Sequence, residues 1–199
     1  KRLVSKLSNV KSIMIVGVGG QGTLLASRIL GSVAKSSGND VKISEVHGMS
    51  QRGGSVVTYV KYGKKVYSPI ISLGCADIIL SFEELEAYRY ASYLKKDGKI
   101  IVNTQKIDPM PVITGAVKYT ENVIEKLCGK FENVIAVDAL KMAEQAGNMK
   151  AVNVVLIGVL AKSSEIEKSV WEKAVEENVP PKFLEINKKA FELGYNYQD

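Results

Sequence analysis

Six residues near the start of the chain, Gly17-Val18-Gly19-Gly20-Gln21-Gly22, have the spacing GxGxxG. They follow the β-rich run Ile13-Met14-Ile15-Val16 and precede Thr23 to Lys35, where Leu24, Leu25, Ile29 and Val33 fall at helical spacing. Glycines at a strand-to-helix turn let the backbone approach a pyrophosphate, while free amides and the positive helix end attract negative charge. Gly17, Gly19, Gly20 and Gly22 are therefore candidate phosphate contacts. Glu45 stands 23 residues after Gly22, where a dinucleotide site places an acid on the ribose. The same glycines can instead serve only the close packing of a helix on a sheet, and both explanations stay open at this point.

A second concentration of polar groups is His47-Gly48-Met49-Ser50-Gln51-Arg52-Gly53-Gly54-Ser55. A histidine and an arginine on a glycine-rich loop can grip a phosphate or a carboxylate, or form the edge of a subunit contact. Arg52 is the candidate phosphate ligand, and His47, Gln51, Arg52, Gly53 and Gly54 are the candidate interface residues. The alternative is a solvated loop whose glycines make a bulge. His47 has no nucleophile and acid placed beside it, so no catalytic residue is assigned. Glu83, Glu84 and Glu86 read as the acidic first turn of a helix, and Tyr88, Tyr90 and Tyr93 as packing and interface residues. Two cysteines far apart, Cys75 and Cys128, and one histidine offer neither a CxxC pair nor a four-thiolate set, so no metal ligands are assigned.

The elements that must position these residues alternate. A strand at Ile13 to Val16, a helix from Thr23 to Lys35, the turn Gly38-Asn39-Asp40 and a strand from Val41 to Val46 make a Rossmann-like βαβ start. The pattern then changes: Val56 to Tyr62 alternates, and Gly63-Lys64-Lys65 turns the chain into Val66-Tyr67, so a hairpin stands where a crossover helix belongs. Further on, Asp77 to Ser81 predicts a buried strand, Glu83 to Leu94 a helix, and Lys99 to Asn103 a strand after an Asp97-Gly98 turn. Thr120 predicts the cap of a helix reaching Cys128, Asn133 to Val137 a strand, and Asp138 the cap of a helix to Gln145. Ala151 to Lys162 is apolar almost all round and predicts a buried helix, while Ser169 to Asn178 and Lys182 to Leu193 are amphipathic. The fold class is α/β, a single domain over residues 1–199 with a mixed sheet, a hairpin and flanking helices.

Size and composition agree. The chain has 199 residues, 46% of them hydrophobic and 24% charged, which excludes disorder and low-complexity architectures. Val152 to Ala161, the longest apolar stretch, is broken by Asn153 and falls short of the roughly 18 to 20 residues of a membrane span. No signal peptide is visible, and a cytoplasmic location is expected. The net charge of +6 suits an anionic ligand or an acidic partner. The lysines are dispersed and the four arginines, Arg2, Arg28, Arg52 and Arg89, form no stripe interleaved with aromatics, so neither nucleic acid nor membrane is an expected partner.

The order of these motifs resembles a known family. Ile15-Val16-Gly17-Val18-Gly19-Gly20-Gln21-Gly22, then Glu45-Val46-His47-Gly48-Met49-Ser50-Gln51-Arg52-Gly53-Gly54-Ser55-Val56, then Tyr67-Ser68-Pro69 are similar to the small, gamma-type subunits of 2-oxoacid:ferredoxin oxidoreductases. Ala76-Asp77-Ile78, Glu83-Glu84-Leu85-Glu86-Ala87, Ile101-Val102-Asn103-Thr104 and Asn187 to Gly194 carry the resemblance almost to the C-terminus. His47-Gly48-Met49-Ser50-Gln51 before Arg52-Gly53-Gly54 favours the indolepyruvate branch over the pyruvate and 2-oxoglutarate branches.

The resemblance implies a hetero-oligomer that oxidatively decarboxylates an aryl 2-oxoacid to an acyl-CoA and passes electrons to ferredoxin. It implies that thiamine diphosphate and the iron-sulfur clusters sit in a larger partner subunit, that coenzyme A is a co-substrate, and that this chain alone binds no cofactor and is inactive. Two rivals remain: a free-standing dinucleotide-dependent oxidoreductase, motivated by GxGxxG and Glu45, and a purely structural or binding module.

Overall fold

The computed structural model of the chain describes residues 10–47 and 54–198, the side chain of His47 excepted. Strand β1 (Lys11–Val18) leads through the glycine turn into α1 (Thr23–Ser36), followed by β2 (Asp40–His47) and β3 (Ser55–Gly63). Then come β4 (Ala76–Ser81), α2 (Glu84–Tyr90), a 3-10 turn at Ala91–Tyr93, β5 (Leu94–Asn103), α3 (Met110–Ile113), α4 (Val123–Cys128) and β6 (Val134–Val137). Helix α5 (Ala139–Ala146), a 3-10 turn at Met149–Ala151, α6 (Val152–Lys162), α7 (Lys168–Asn178) and α8 (Leu184–Tyr195) complete the chain.

The six strands form one mixed sheet in the order β2-β3-β1-β4-β5-β6, as the α/β reading expects. Strands β1, β4, β5 and β6 are parallel, and β3 runs antiparallel to both β1 and β2. The start of the chain is thus a split βαβ unit: β1 and β2 point the same way, but β3 lies between them.

Alternation along β1 sends Ile13 and Ile15 to one face and Met14 and Val16 to the other. On the first face they pack with α1 and α5 to α8, and on the second with α2 and α4. Both faces are covered there, which is why β1 reads as a continuous apolar run rather than as an alternating one. Helix α6 is buried from Val152 to Ala161, as its all-round apolar sequence requires. It crosses α8 at two glycines: a Cβ on Gly158 would fall on the Phe191 carbonyl oxygen and one on Gly194 on that of Val155.

Three local expectations are corrected. The hairpin is β2–β3, with Asp40 paired to Gly63 and His47 to Val56, and Val66-Tyr67 is not a strand. Val66 N–H instead donates to the Asp40 carboxylate at 2.9 Å, and with Lys42 this holds the Asp40 carboxyl below its ordinary range. Asp97-Gly98 makes no turn, because β5 begins at Leu94 and absorbs the irregularity as a register shift against Ala76 and Ile78. Helix α4 is capped not by Thr120 but by Asn122 at φ +53°, a left-handed conformation that asparagine tolerates. Pro111 sits in the first turn of the short helix α3, where its missing N–H costs nothing.

Candidate functional site

The parallel strands end at one edge of the sheet, and that edge collects the glycine turn after β1, Phe82 and Glu83 after β4, Thr104 to Ile107 after β5, and Gly54-Ser55 at the start of β3. Helices α1 and α2 leave for opposite faces, so the crevice where such a sheet takes ligands opens between the ends of β1 and β4. Gln21 fills it. Its Nε2 donates to the Phe82 carbonyl at 2.9 Å, and its Oε1 accepts from Val18 N–H at 2.8 Å. Asn103, buried at the end of β5, donates to the same carbonyl at 3.0 Å.

The motif glycines divide accordingly. A Cβ on Gly17 would lie 2.9 Å from both Gln21 Oε1 and Phe82 Cβ, and one on Gly22 would lie 2.5 Å from Asn153 Nδ2. These two glycines are required by the protein's own packing. Gly20 (φ +102°) is exposed and has open space where its side chain would be, and Gly19 N–H donates to the Gly54 carbonyl at 2.9 Å. The outer side of the turn, with Gln105, Met149 and Lys150, borders an open cleft of about 640 Å³. No side chain caps α1, whose amide end supplies positive potential there.

Glu45 is not where a dinucleotide needs it. It pairs with Thr58 on β3, which pairs with Ile15 on β1, so it is level with Ile15 rather than with the turn. The offset is about 10 Å along the strand and two strand spacings, roughly 10 Å, across the sheet. Its carboxylate accepts from the buried Thr58 hydroxyl at 3.0 Å. The insertion of β3 thus dismantles the ribose half of the dinucleotide geometry.

The acidic trio is buried, which an exposed first helical turn is not. Glu83 caps α2 by accepting from Glu86 N–H at 2.9 Å, and its other oxygen accepts from Ile107 N–H at 3.2 Å and from the Tyr119 hydroxyl. Burial raises the Glu83 carboxyl above the ordinary glutamate value against these donors, and burial together with Glu83 holds the Tyr119 phenol well above its usual value, so it remains a donor. Glu86 accepts from Ser55 Oγ at 2.5 Å and pairs with Arg89 at 3.1 Å. Glu84 Oε1 receives no hydrogen bond and faces Lys106 Nζ at 3.5 Å. Between these groups and the β3 start lies a pocket of about 280 Å³ bordered by Gly54, Ser55, Glu86, Arg89, Met110 and Pro111.

Of the sequence candidates, the structure joins Gly19 to Gly54 and places Gly17 and Gly22 in the same turn. His47 ends β2, opposite Val56. Gln51, Arg52 and Gly53 lie outside the described residues. Gln21, Asn103, Gln105 and Tyr119 also belong to this site, and no local signal marks them, because their partners lie up to 84 residues away. Among the described residues, no group of three or more His, Cys, Asp or Glu side chains is placed to hold a metal ion, and no helix is long and apolar enough to cross a membrane.

Comparison with known proteins places this geometry in a family. The profile described as pyruvate ferredoxin/flavodoxin oxidoreductase matches residues 12–197. The indolepyruvate oxidoreductase subunit IorB of Thermococcus kodakarensis is 44% identical over 191 residues, covering 92% of this chain and 93% of that protein. The fold matches the pyruvate oxidoreductase subunit PORC of Thermotoga maritima with a TM-score of 0.72 at 22% identity, over 94% of this chain and 96% of that one. It also matches the 2-oxoglutarate:ferredoxin oxidoreductase of Magnetococcus marinus with a TM-score of 0.72 at 16% identity, over 94% of this chain but 31% of that one. The chain belongs to the pyruvate ferredoxin/flavodoxin oxidoreductase family.

Proposed function

We propose that this chain is the small subunit of a heteromeric indolepyruvate:ferredoxin oxidoreductase, which oxidatively decarboxylates an aryl 2-oxoacid to its acyl-CoA and hands the electrons to ferredoxin. The observation that carries the reading is the 44% identity with an indolepyruvate oxidoreductase subunit across 92% of the chain. The pyruvate-type relatives support the class of reaction but stand further away, at 29% identity for the common gamma subunit of Pyrococcus abyssi.

The division of labour follows from the resemblance. The family resemblance assigns thiamine diphosphate and the iron-sulfur clusters to a larger subunit of a cytoplasmic enzyme, and the two cysteines of this chain, too few for a four-thiolate cluster, agree with that assignment. This chain, one unit over residues 1–199, contributes surfaces rather than reacting groups. The outer side of the glycine turn, Gly19 and Gly20, and the Arg52 guanidinium are assigned to the phosphates of coenzyme A, where amides and a planar fork of donors suit an oxyanion. The loop from His47 to Gly54 is assigned to the contact with the larger subunit. The free-standing dinucleotide enzyme is disfavoured by Gln21 in the crevice and by the displacement of Glu45.

Co-expression with the larger subunit tests this reading. The purified complex should reduce ferredoxin with indolepyruvate and coenzyme A, faster than with pyruvate or 2-oxoglutarate, and each isolated subunit should be inactive. Turnover by this chain alone, or micromolar binding of NAD, NADP or a flavin with hydride transfer, would return the dinucleotide enzyme to first place.

A further inference from the structure

Residues 109–117 read Pro-Met-Pro-Val-Ile-Thr-Gly-Ala-Val, nine positions without a charge, and each is exposed or half-buried. Met110, Ile113 and Val117 are 60%, 64% and 54% exposed. Contiguous apolar side chains in water are unfavourable and mark contact surfaces when the fold holds them out.

This fold does hold them out. Both ends of the segment are tied to one buried carboxylate: Glu83, 1% exposed, accepts from Ile107 N–H before the apolar run and from the Tyr119 hydroxyl after it. The Lys106 ammonium pairs with Glu84 at 3.5 Å and lies 5.9 Å from the Tyr119 ring centroid, which crosses the base a second time. Within the segment, the Pro109 carbonyl accepts from Val112 and Ile113 N–H, and the Pro111 carbonyl accepts from Ala116 and Val117 N–H. Gly115, at φ +75°, makes the return. The result is a prefolded knob on a clamped base, so little ordering entropy remains to be lost when it docks.

We propose that Met110, Ile113 and Val117 form a docking knob that enters an apolar recess of the larger subunit. The proposal rests on the small-subunit reading above and names a contact outside the His47–Gly54 loop. The larger subunit is the fitting occupant for two reasons. Met110 and Pro111 border the same pocket as Gly54 and Ser55, so the knob continues the loop assigned to that subunit. The same fold also occurs as 31% of a single longer chain in the Magnetococcus enzyme, so there it is joined to a larger polypeptide. The absence of charge from residues 109–117 selects an apolar recess, the composition found at the buried centre of interfaces rather than at the rim.

The test is co-expression of the larger subunit with the wild-type chain, with the double variant Met110→Asp/Ile113→Asp, and with Leu73→Asp, a 66% exposed residue just before β4, at the opposite edge of the sheet. The double variant should keep the circular dichroism and melting temperature of the isolated wild-type chain, because both side chains already face water. Its association with the larger subunit should weaken by about 100-fold or more, while Leu73→Asp assembles normally. Normal assembly of the double variant beside normal assembly of the wild type overturns the knob and leaves the small-subunit reading intact. If the wild type fails to assemble, the small-subunit reading itself falls and takes the knob with it. Self-association of the isolated chain that the double variant abolishes, with capture by the larger subunit unchanged, would assign the surface to a second copy and overturn the proposal.

Discussion

The Gln21 side-chain oxygen lies 2.9 Å from where a Cβ on Gly17 would stand, so the first glycine of the motif makes room for the motif's own glutamine. Gly17→Ala should therefore destabilise the chain by about 1 to 3 kcal/mol through overpacking, and Gln21→Ala by about 1 to 2 kcal/mol through its lost hydrogen bonds. Because Gln21 is the shared contact, the double variant should cost less than the sum by at least about 0.5 kcal/mol. Strict additivity in urea titrations would mean that the turn is not packed around this amide.

Where α6 and α8 cross, the obstructing atoms are backbone. Gly158→Ala or Gly194→Ala would drive a methyl group onto a carbonyl of the facing helix, and no rotamer change relieves that. Each should cost about 3 kcal/mol or more. A thermal melt within a degree or two of wild type for either variant would show that the two helices are free to separate.

The buried Glu83 carboxyl gives stability a pH dependence of predictable sign. Its folded value is raised above the unfolded one by burial, so protonation favours the native state. Its contribution is present in full below the ordinary glutamate range and is lost as pH rises through the raised value. Glu83→Gln keeps an oxygen to accept from Ile107 and Tyr119 but carries no charge. Relative to wild type, the variant should gain stability as pH rises from the ordinary glutamate range through the raised folded value, and level off above it. A difference that stays flat, or runs the other way, would mean that Glu83 ionises as easily folded as unfolded.

Arg52 tests the loop contact. Arg52→Ala and Arg52→Lys should both impair assembly or coenzyme A-dependent turnover, by about 1.5 to 3 kcal/mol if a charge-assisted contact is lost. The lysine variant fails because it keeps the charge without the bidentate fork. Wild-type assembly and kinetics in both variants would return the loop to a solvated bulge.

What was legible in the sequence was local. The β1–glycine–α1 unit, the α5 cap at Asp138 and the buried α6 stand where period and capping chemistry put them, because those signals come from neighbouring residues. The glutamates do start a helix, as their composition suggests, although Glu83 stands at its cap rather than in its first turn. Their burial was invisible, since the Ile107 and Tyr119 partners are 24 and 36 residues away. A hairpin of Val56 to Tyr62 with Val66-Tyr67 is what local alternation suggests, but β3 pairs with β2 instead, and nothing local shows that the Asp40 carboxylate captures Val66. Glu45 misled for a related reason: spacing counts residues along the chain, and β3 is inserted across it.

That inserted strand also orders the folding of the chain. Sheet neighbours of β1 are β3 and β4, and both come later in the sequence than β2. The hairpin β2–β3 is the most local pairing in the sheet, whereas β1 joins β3 across a gap that reaches 51 residues, between Lys11 and Tyr62. Loop-closure entropy makes the hairpin the first piece to zip and β1 a later arrival. A nascent chain extending only through His47 therefore holds two strands and a helix with no sheet to join, and the βαβ segment that looks most self-sufficient in the sequence cannot stand on its own.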